Sequence, residues 1–135
     1  MNEPIWIDVR DILAIQEQLL ARFGGLSGVR DAGLLESALA RPLQLRAYGK
    51  PSLFELAAAY SHGIVKNHPF LDGNKRAGFM AAYTFLGANG WEMDATEESA
   101  ALHTIGLAAG EVSEEEYAAW LKKSCVRPPK PKKKG

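Results

Sequence analysis

Cysteine is almost missing from this chain: Cys125 stands alone among 135 residues. No disulfide framework is available, and a reducing compartment is the natural reading. Net charge is missing too, because sixteen Lys and Arg balance sixteen Asp and Glu, which leaves no global field to gather nucleic acid. Long apolar runs are lacking. The longest uncharged one, Ala77 to Ala88, is too short to span a bilayer and reads as a buried helix. The chain does not open on a basic segment followed by an apolar one, so no secretory leader is expected. No internal repeat is visible, and a Gly-x-x-x-x-Gly-Lys-Ser/Thr phosphate loop is absent. A hydrophobic content of 47% with 24% charge is that of an ordinary soluble globular protein, here expected to be cytoplasmic. At this length it is one domain with room for a proper core.

What is present concentrates in one stretch, His68-Pro69-Phe70-Leu71-Asp72-Gly73-Asn74-Lys75-Arg76. It joins a helix-like segment ending near Asn67 to an apolar one from Lys75 to about Asn89. Backbone N–H groups at a helix start are unpaired and sit at the positive end of the dipole, so they collect anions. Gly73, Asn74 and Lys75 would supply those amides, and Lys75 and Arg76 would add full positive charge. Asp72 suits Mg²⁺, which commonly travels with nucleotide phosphates. His68 has a near-neutral pKa as a free side chain, and a base beside a phosphate site can take the proton from an attacking hydroxyl. The chemistry implied is phosphate-ester transfer.

The remaining chain reads as helices. Ile5-Trp6-Ile7 is a short β-like start. Asp8 is an N-cap, and Val9, Ile12, Ile15, Leu19 and Phe23 repeat at helical spacing until Gly24-Gly25 stops the helix. Gly28 and Pro42 bracket a shorter helix from about Asp31 to Ala40, and Leu43 to Pro51 reads as a loop or short hairpin. Ser52-x-x-Glu55 is a capping box that opens a nearly apolar helix carrying Phe54, Leu56, Tyr60, Ile64 and Val65. Phe79 to Ala88 carries no charge on any face, so that helix is expected at the centre. Asn89-Gly90 ends it and Trp91-Glu92-Met93 is briefly extended. Thr96 caps a helix to about Ala109, and Ser113-x-x-Glu116 is a second capping box. Five of the cations fall in the last nine residues. The domain is therefore placed at 1–126, with a basic, disordered tail over 127–135.

His-Pro-Phe-Leu-Asp-Gly-Asn-Lys-Arg closely resembles the signature of the Fic/Doc superfamily, His-x-Phe-x-Asp/Glu-Gly/Ala-Asn-Gly/Lys-Arg. Lysine before the last arginine is the letter of the Doc (death-on-curing) toxin branch, where most Fic adenylyl transferases carry glycine. The similarity runs from about Trp6 to Trp120 and includes Phe23-Gly24-Gly25-Leu26, Arg30-Asp31-Ala32-Gly33-Leu34-Leu35-Glu36 and Phe85-Leu86-x-x-Asn89-Gly90. It implies a compact all-α bundle around a central apolar helix, with marginal short β segments. It also implies that His68 is the catalytic base and Asp72 the Mg²⁺ carboxylate. Gly73, Asn74, Lys75 and Arg76 would hold ATP phosphates, and Phe70 would position the loop by packing into the core. Glycine at the Lys75 position leaves room in Fic proteins for the α-phosphate, in the orientation that transfers AMP. A long cation there favours the inverted nucleotide, with the γ-phosphate toward the acceptor. Gly73 is alanine in some Doc relatives, and Ala77-Gly78 stand where threonine and another residue often follow, so the chain mixes Fic-like and Doc-like letters.

Plainer readings cover the other reactive side chains. His62 and His103 match no catalytic position and read as core or surface histidines. Cys125 has no neighbouring base and reads as an inert thiol. Trp6, Trp91 and Trp120 read as packing residues, and the basic tail as a solvated end. The superfamily's inhibitory string, Ser/Thr-x-x-x-Glu-Gly/Asn, is absent, which implies an antitoxin acting in trans. The resulting expectation is a toxin of a toxin–antitoxin pair that moves a phosphoryl group from ATP-Mg²⁺ to a hydroxyl of a host protein. The resemblance points to the translation machinery as target, its elongation factors included. AMP transfer at the same site is the alternative within the class; a catalytically silent regulatory module, or nucleic-acid binding through the tail, are the alternatives outside it. The complete motif argues against a silent module.

Overall fold

A computed structural model describes residues 3–127. The tail expected over 127–135 lies outside these from residue 128 on. Arg127 is described, and its guanidinium rests 4.8 Å from the centre of the Trp91 ring.

Six helices account for most of the fold: α1 (Val9–Phe23), α2 (Ala32–Tyr48), α3 (Leu53–Asn67), α4 (Asn74–Ala88), α5 (Glu97–Ala109) and α6 (Glu114–Ser124). Two short strands, β1 (Glu92–Met93) and β2 (Cys125–Val126), pair antiparallel with Glu92 opposite Val126 and Met93 opposite Cys125. The all-α architecture expected from the sequence is the one present. The helix starts follow local chemistry. Asp8, Ser52 and Ser113 each form a reciprocal capping box with the residue three positions on, satisfying donors that a helix end leaves open.

The central position belongs to α3 rather than to α4, as the uncharged run of Phe79 to Ala88 had implied. Helix α3 packs most extensively against α4 and α2, and then against α6 and α5. Leu56, Ala57, Ala58, Ala59, Tyr60 and Ile64 are fully buried. Lack of charge on α4 is not full burial, because Tyr83 stays exposed and Phe79 and Met80 are half-buried. Glycines on two faces of the bundle let the backbones meet. A Cβ on Gly78 would lie 2.8 Å from Val65 Cγ1 and 3.2 Å from the Ser61 carbonyl, and one on Gly63 would lie 3.1 Å from Ala38. Ser61 Oγ donates to the Gly78 carbonyl across the first contact, at 2.6 Å.

Helix α2 corrects the reading of Pro42 as a stop: the helix runs through it to Tyr48. Proline removes one backbone bond, the one to the carbonyl four residues back, and that carbonyl belongs to Ala38. Gly63 of α3 packs closely on Ala38, and the Pro42 ring is fully buried. Burial of the ring and close packing at Ala38 offset the lost bond, so the segment 43–48 is helical rather than a loop. The expected β-like start does not form a strand either. Its backbone is held by side chains: Asn89 Oδ1 accepts from the Ile5 N–H at 2.8 Å and Asn89 Nδ2 donates to the Ile5 carbonyl at 2.9 Å. Tyr60 Oη accepts from the Ile7 N–H at 3.0 Å.

Candidate functional site

The connection from α3 to α4 lies at one end of a groove of about 760 Å³. Ile15, Leu19, Met80, Ala100 and Ile105 contribute apolar lining, and His68, Asp72, Lys75 and Arg76 stand among its polar residues. His68 caps α3 in a left-handed conformation, φ 51° and ψ 54°. It is the one non-glycine residue with positive φ among the described residues. The residue is exposed, while Pro69 and Phe70 on its far side are buried.

Phe70 is fully buried, its ring packed into the core beneath the loop. Its backbone is held by Asn74, whose Oδ1 accepts from the Phe70 N–H and whose Nδ2 donates to the Phe70 carbonyl, both at 3.0 Å. Asn74 is 4% exposed, so its side chain shapes the loop, and what it leaves without a side-chain partner is its backbone N–H. Gly73 precedes α4 at φ 74° and supplies no side-chain cap. The first amides of α4 therefore keep no partner from a capping side chain, which is the arrangement that receives an anion. Arg76 lays its guanidinium 4.2 Å from the centre of the Phe23 ring, a cation–π contact that holds it at the groove. Lys75 is exposed.

Asp72 is set against the turn after α1. Its Oδ2 accepts from the Leu26 N–H at 3.3 Å and its Oδ1 from the Gly73 N–H at 2.9 Å. A Cβ on Gly25 would sit 2.8 Å from Asp72 Oδ2, so glycine is required there by the close approach as well as by its φ of 116°. Each carboxylate oxygen accepts one bond and keeps capacity for another. Among the described residues no group of three or more His, Cys, Asp or Glu could cage a metal. A single exposed carboxylate beside a helix start without a side-chain cap fits Mg²⁺, which is usually held by one or two carboxylates together with substrate phosphates and water.

Three residues to which the sequence reading gave no role in the site, Arg30 and Phe23 of the similar segments and Gln16, hold it in shape. Arg30 donates to the carbonyls at the end of α3: Nη2 to Asn67 at 2.9 Å and Nε to His68 at 2.7 Å. Gln16, on the apolar stripe of α1 and 4% exposed, donates from Nε2 to the Asp72 carbonyl at 2.7 Å; its Oε1 is buried without a partner. Phe23 was read as the end of the core stripe, yet it is half exposed and forms the shelf under Arg76. Gln16 and Arg30 act across 56 and 38 residues of chain, which no local pattern reveals. Phe23 had a weak signal, an aromatic at the last turn of an amphipathic helix immediately before Gly24-Gly25.

The other reactive groups lie elsewhere. The thiol of Cys125 is buried and pushed up by that burial, consistent with an inert residue. His103 stacks on Trp120 with ring centres 4.4 Å apart, and His62 lies 3.2 Å from Glu114. Trp6 packs on Phe85 and Trp91 on Phe54. Among the described residues no helix is long and apolar enough to cross a membrane.

Comparison with known proteins supplies the context. A model of the Fic/DOC family matches residues 6–86, which takes in α1 to α3, α4 up to its last two residues and the whole His68 to Arg76 connection. The chain is 42% identical over 93 residues to Toxin Doc of Mycolicibacterium smegmatis, covering 67% of this chain and 68% of that protein. It is 34% identical over 118 residues to the protein kinase doc of Escherichia phage P1, covering 87% of this chain and 93% of the relative. With the signature stretch, the helical bundle and these matches in agreement, the chain belongs to the Fic/DOC family, on its Doc branch.

Proposed function

We propose that this protein is a Doc-type toxin that transfers the γ-phosphoryl group of ATP to a hydroxyl of a host protein. The observation that carries the reading is the pairing of a left-handed His68 with an α4 start that has no side-chain cap, both lining one groove. The names of the two relatives, a toxin and a protein kinase, support it.

In this reading His68 accepts the proton of the attacking hydroxyl. The amides of Asn74 and Lys75 receive phosphate oxygens at the positive end of α4, while that of Gly73 is given to Asp72 Oδ1 and ties the carboxylate to the same turn. Arg76 and Lys75 offset charge that spreads over the phosphoryl group as it moves. Asp72 would hold Mg²⁺, which when bound supplies neutralisation of the phosphates. Positioning and charge stabilisation are most of what phosphoryl transfer requires. Lys75 fills the place where glycine would admit the α-phosphate, which favours a nucleotide with its γ-phosphate toward His68.

The test incubates purified protein, Mg²⁺ and a cell extract with ATP labelled at either the α or the γ position. Label transferred to protein from γ and not from α supports the kinase. Transfer from α, with one AMP added to the target, replaces it with adenylyl transfer. The proposed setting is a toxin–antitoxin pair acting on the translation machinery, with a partner segment that folds over the groove. Growth arrest on expression alone, relieved by co-expression of a co-purifying small protein, supports that setting. Harmless expression with intact ATP-dependent transfer overturns it.

A further inference from the structure

The last carbonyls of a helix have no partner within it, and they carry the negative end of its dipole. At the end of α3 three consecutive carbonyls all accept from one residue. Arg30 donates Nη2 to Asn67, Nε to His68 and its backbone N–H to Pro69, at 2.9, 2.7 and 2.6 Å. The planar guanidinium reaches two adjacent carbonyls at once, a geometry that a lysine ammonium does not reproduce.

The middle acceptor belongs to the residue with the least comfortable backbone. His68 stands at φ 51°, a region that strains a non-glycine residue because Cβ crowds the following carbonyl. Such a conformation persists only where its surroundings over-determine it. One turn further back along α3, His68's own N–H is tied to the Ile64 carbonyl at 3.0 Å. On the other side, Arg30 fixes the His68 carbonyl.

We propose that Arg30 is the positioning residue for His68: its guanidinium locks the left-handed turn that carries the imidazole to the groove, without touching the substrate. The assignment of an effect on turnover rests on His68 being the base. A purely structural role, stapling the segment after α1 to the loop, is separable. That staple has independent attachments, since Leu71 donates to the Gly28 carbonyl at 3.1 Å and Asp31 to the Pro69 carbonyl at 3.1 Å. Leu26 donates to Asp72 Oδ2 as well. The strap stays in place when the Arg30 side chain is removed; the peptide after His68 is what loses its hold.

The experiment compares Arg30→Ala and Arg30→Lys with the unmodified chain. Transfer from γ-labelled ATP to extract protein is measured over a range of ATP, with and without added methylguanidinium. In parallel, the ¹³Cα and ¹³Cβ shifts of His68 report its backbone conformation without any turnover. Arg30→Ala should lower the rate at saturating ATP by roughly ten- to a hundredfold, the scale of a misplaced reacting group, and leave the KM for ATP nearly unchanged. Methylguanidinium should restore part of that rate, and Arg30→Lys should fall between the two. The His68 shifts should leave the left-handed range in Arg30→Ala. Unmoved shifts overturn the proposal whatever the activity. So does a loss that appears only in KM, or one that methylguanidinium leaves untouched. Should the unmodified chain transfer no label at all, the function proposed above falls while the shifts still decide whether Arg30 sets His68. If Arg30→Ala does not fold, Arg30→Lys provides the same readings, and native shifts with a native rate in that variant overturn the proposal.

Discussion

At the scale of single residues, His68 combines a chemical role with a backbone role, and two substitutions separate them. His68→Ala should cut transfer by about 10²–10⁴-fold, the usual contribution of a general base, and should also lose a little stability, because alanine is no better suited to φ 51°. His68→Gly should be as inactive yet at least as stable as the natural chain, since glycine adopts left-handed backbone without the Cβ penalty. Activity assays paired with urea unfolding check both; full turnover in either folded variant removes the proposed mechanism. The sequence revealed the residues of the connection itself because they act close together along the chain. It did not reveal Gln16, because a polar residue beside Ile12 and Ile15 looks like an interruption of a core stripe. Only the fold shows its side chain reaching the Asp72 carbonyl. Asn74 was legible as a member of the site, but not that its amide group is spent on Phe70.

At the scale of elements, boundaries written by capping boxes were readable, and those written by tertiary contact were not. Ser52 with Glu55, and Ser113 with Glu116, announce their helices within four residues. Pro42 announces a stop that does not occur, because the compensation lies on another helix at Gly63. The seam between α3 and α4 is equally non-local. Gly78 faces Val65 and the Ser61 carbonyl at distances that leave no room for a methyl group. Gly78→Ala should therefore destabilise the protein by about 1–3 kcal/mol, the range for overpacking, although alanine is intrinsically the better helix former. Chemical denaturation measures the sign. A stabilised Gly78→Ala protein would mean that α4 can shift without loss, and its transfer activity would then show whether the start of α4 had moved.

Across the whole molecule, three helices meet at a charged cluster remote from the groove: Arg41 of α2 and His62 of α3 both contact Glu114 of α6. Burial lowers the His62 pKa first, Glu114 pulls it up, and Arg41 and Lys66 push it down again. The net direction is down, because burial outweighs the pull of Glu114 and the two cations add to it. His62 is then neutral in the folded state where the unfolded chain, titrating near its ordinary value of about 6.5, already binds a proton. More protons on the unfolded state means stability that rises with pH. The contribution is complete above about pH 6.5 and declines as pH drops below it, until the folded state also takes up the proton. His62→Gln should flatten the dependence of the unfolding midpoint on pH just below that value. A slope unchanged in the variant would place the pH sensitivity elsewhere.

The start of α4 has a thermodynamic consequence for the protein as a whole. A helix whose N-cap is Gly73, with no side chain bonded to its first amides, is left incomplete by its own sequence. A phosphate oxygen seated there acts as the missing cap. Because such a ligand binds the folded chain and not the unfolded one, occupancy adds to stability by mass action, about 2.7 kcal/mol at a hundred times its Kd. Nucleotide with Mg²⁺ should thus raise the melting temperature in a concentration-dependent way, and should do so equally in His68→Ala, where chemistry is lost but the cap remains. A melting point indifferent to nucleotide would show that the helix end is not its seat. In a cell the same coupling would make the protein's resistance to proteases follow nucleotide supply, falling as the site empties.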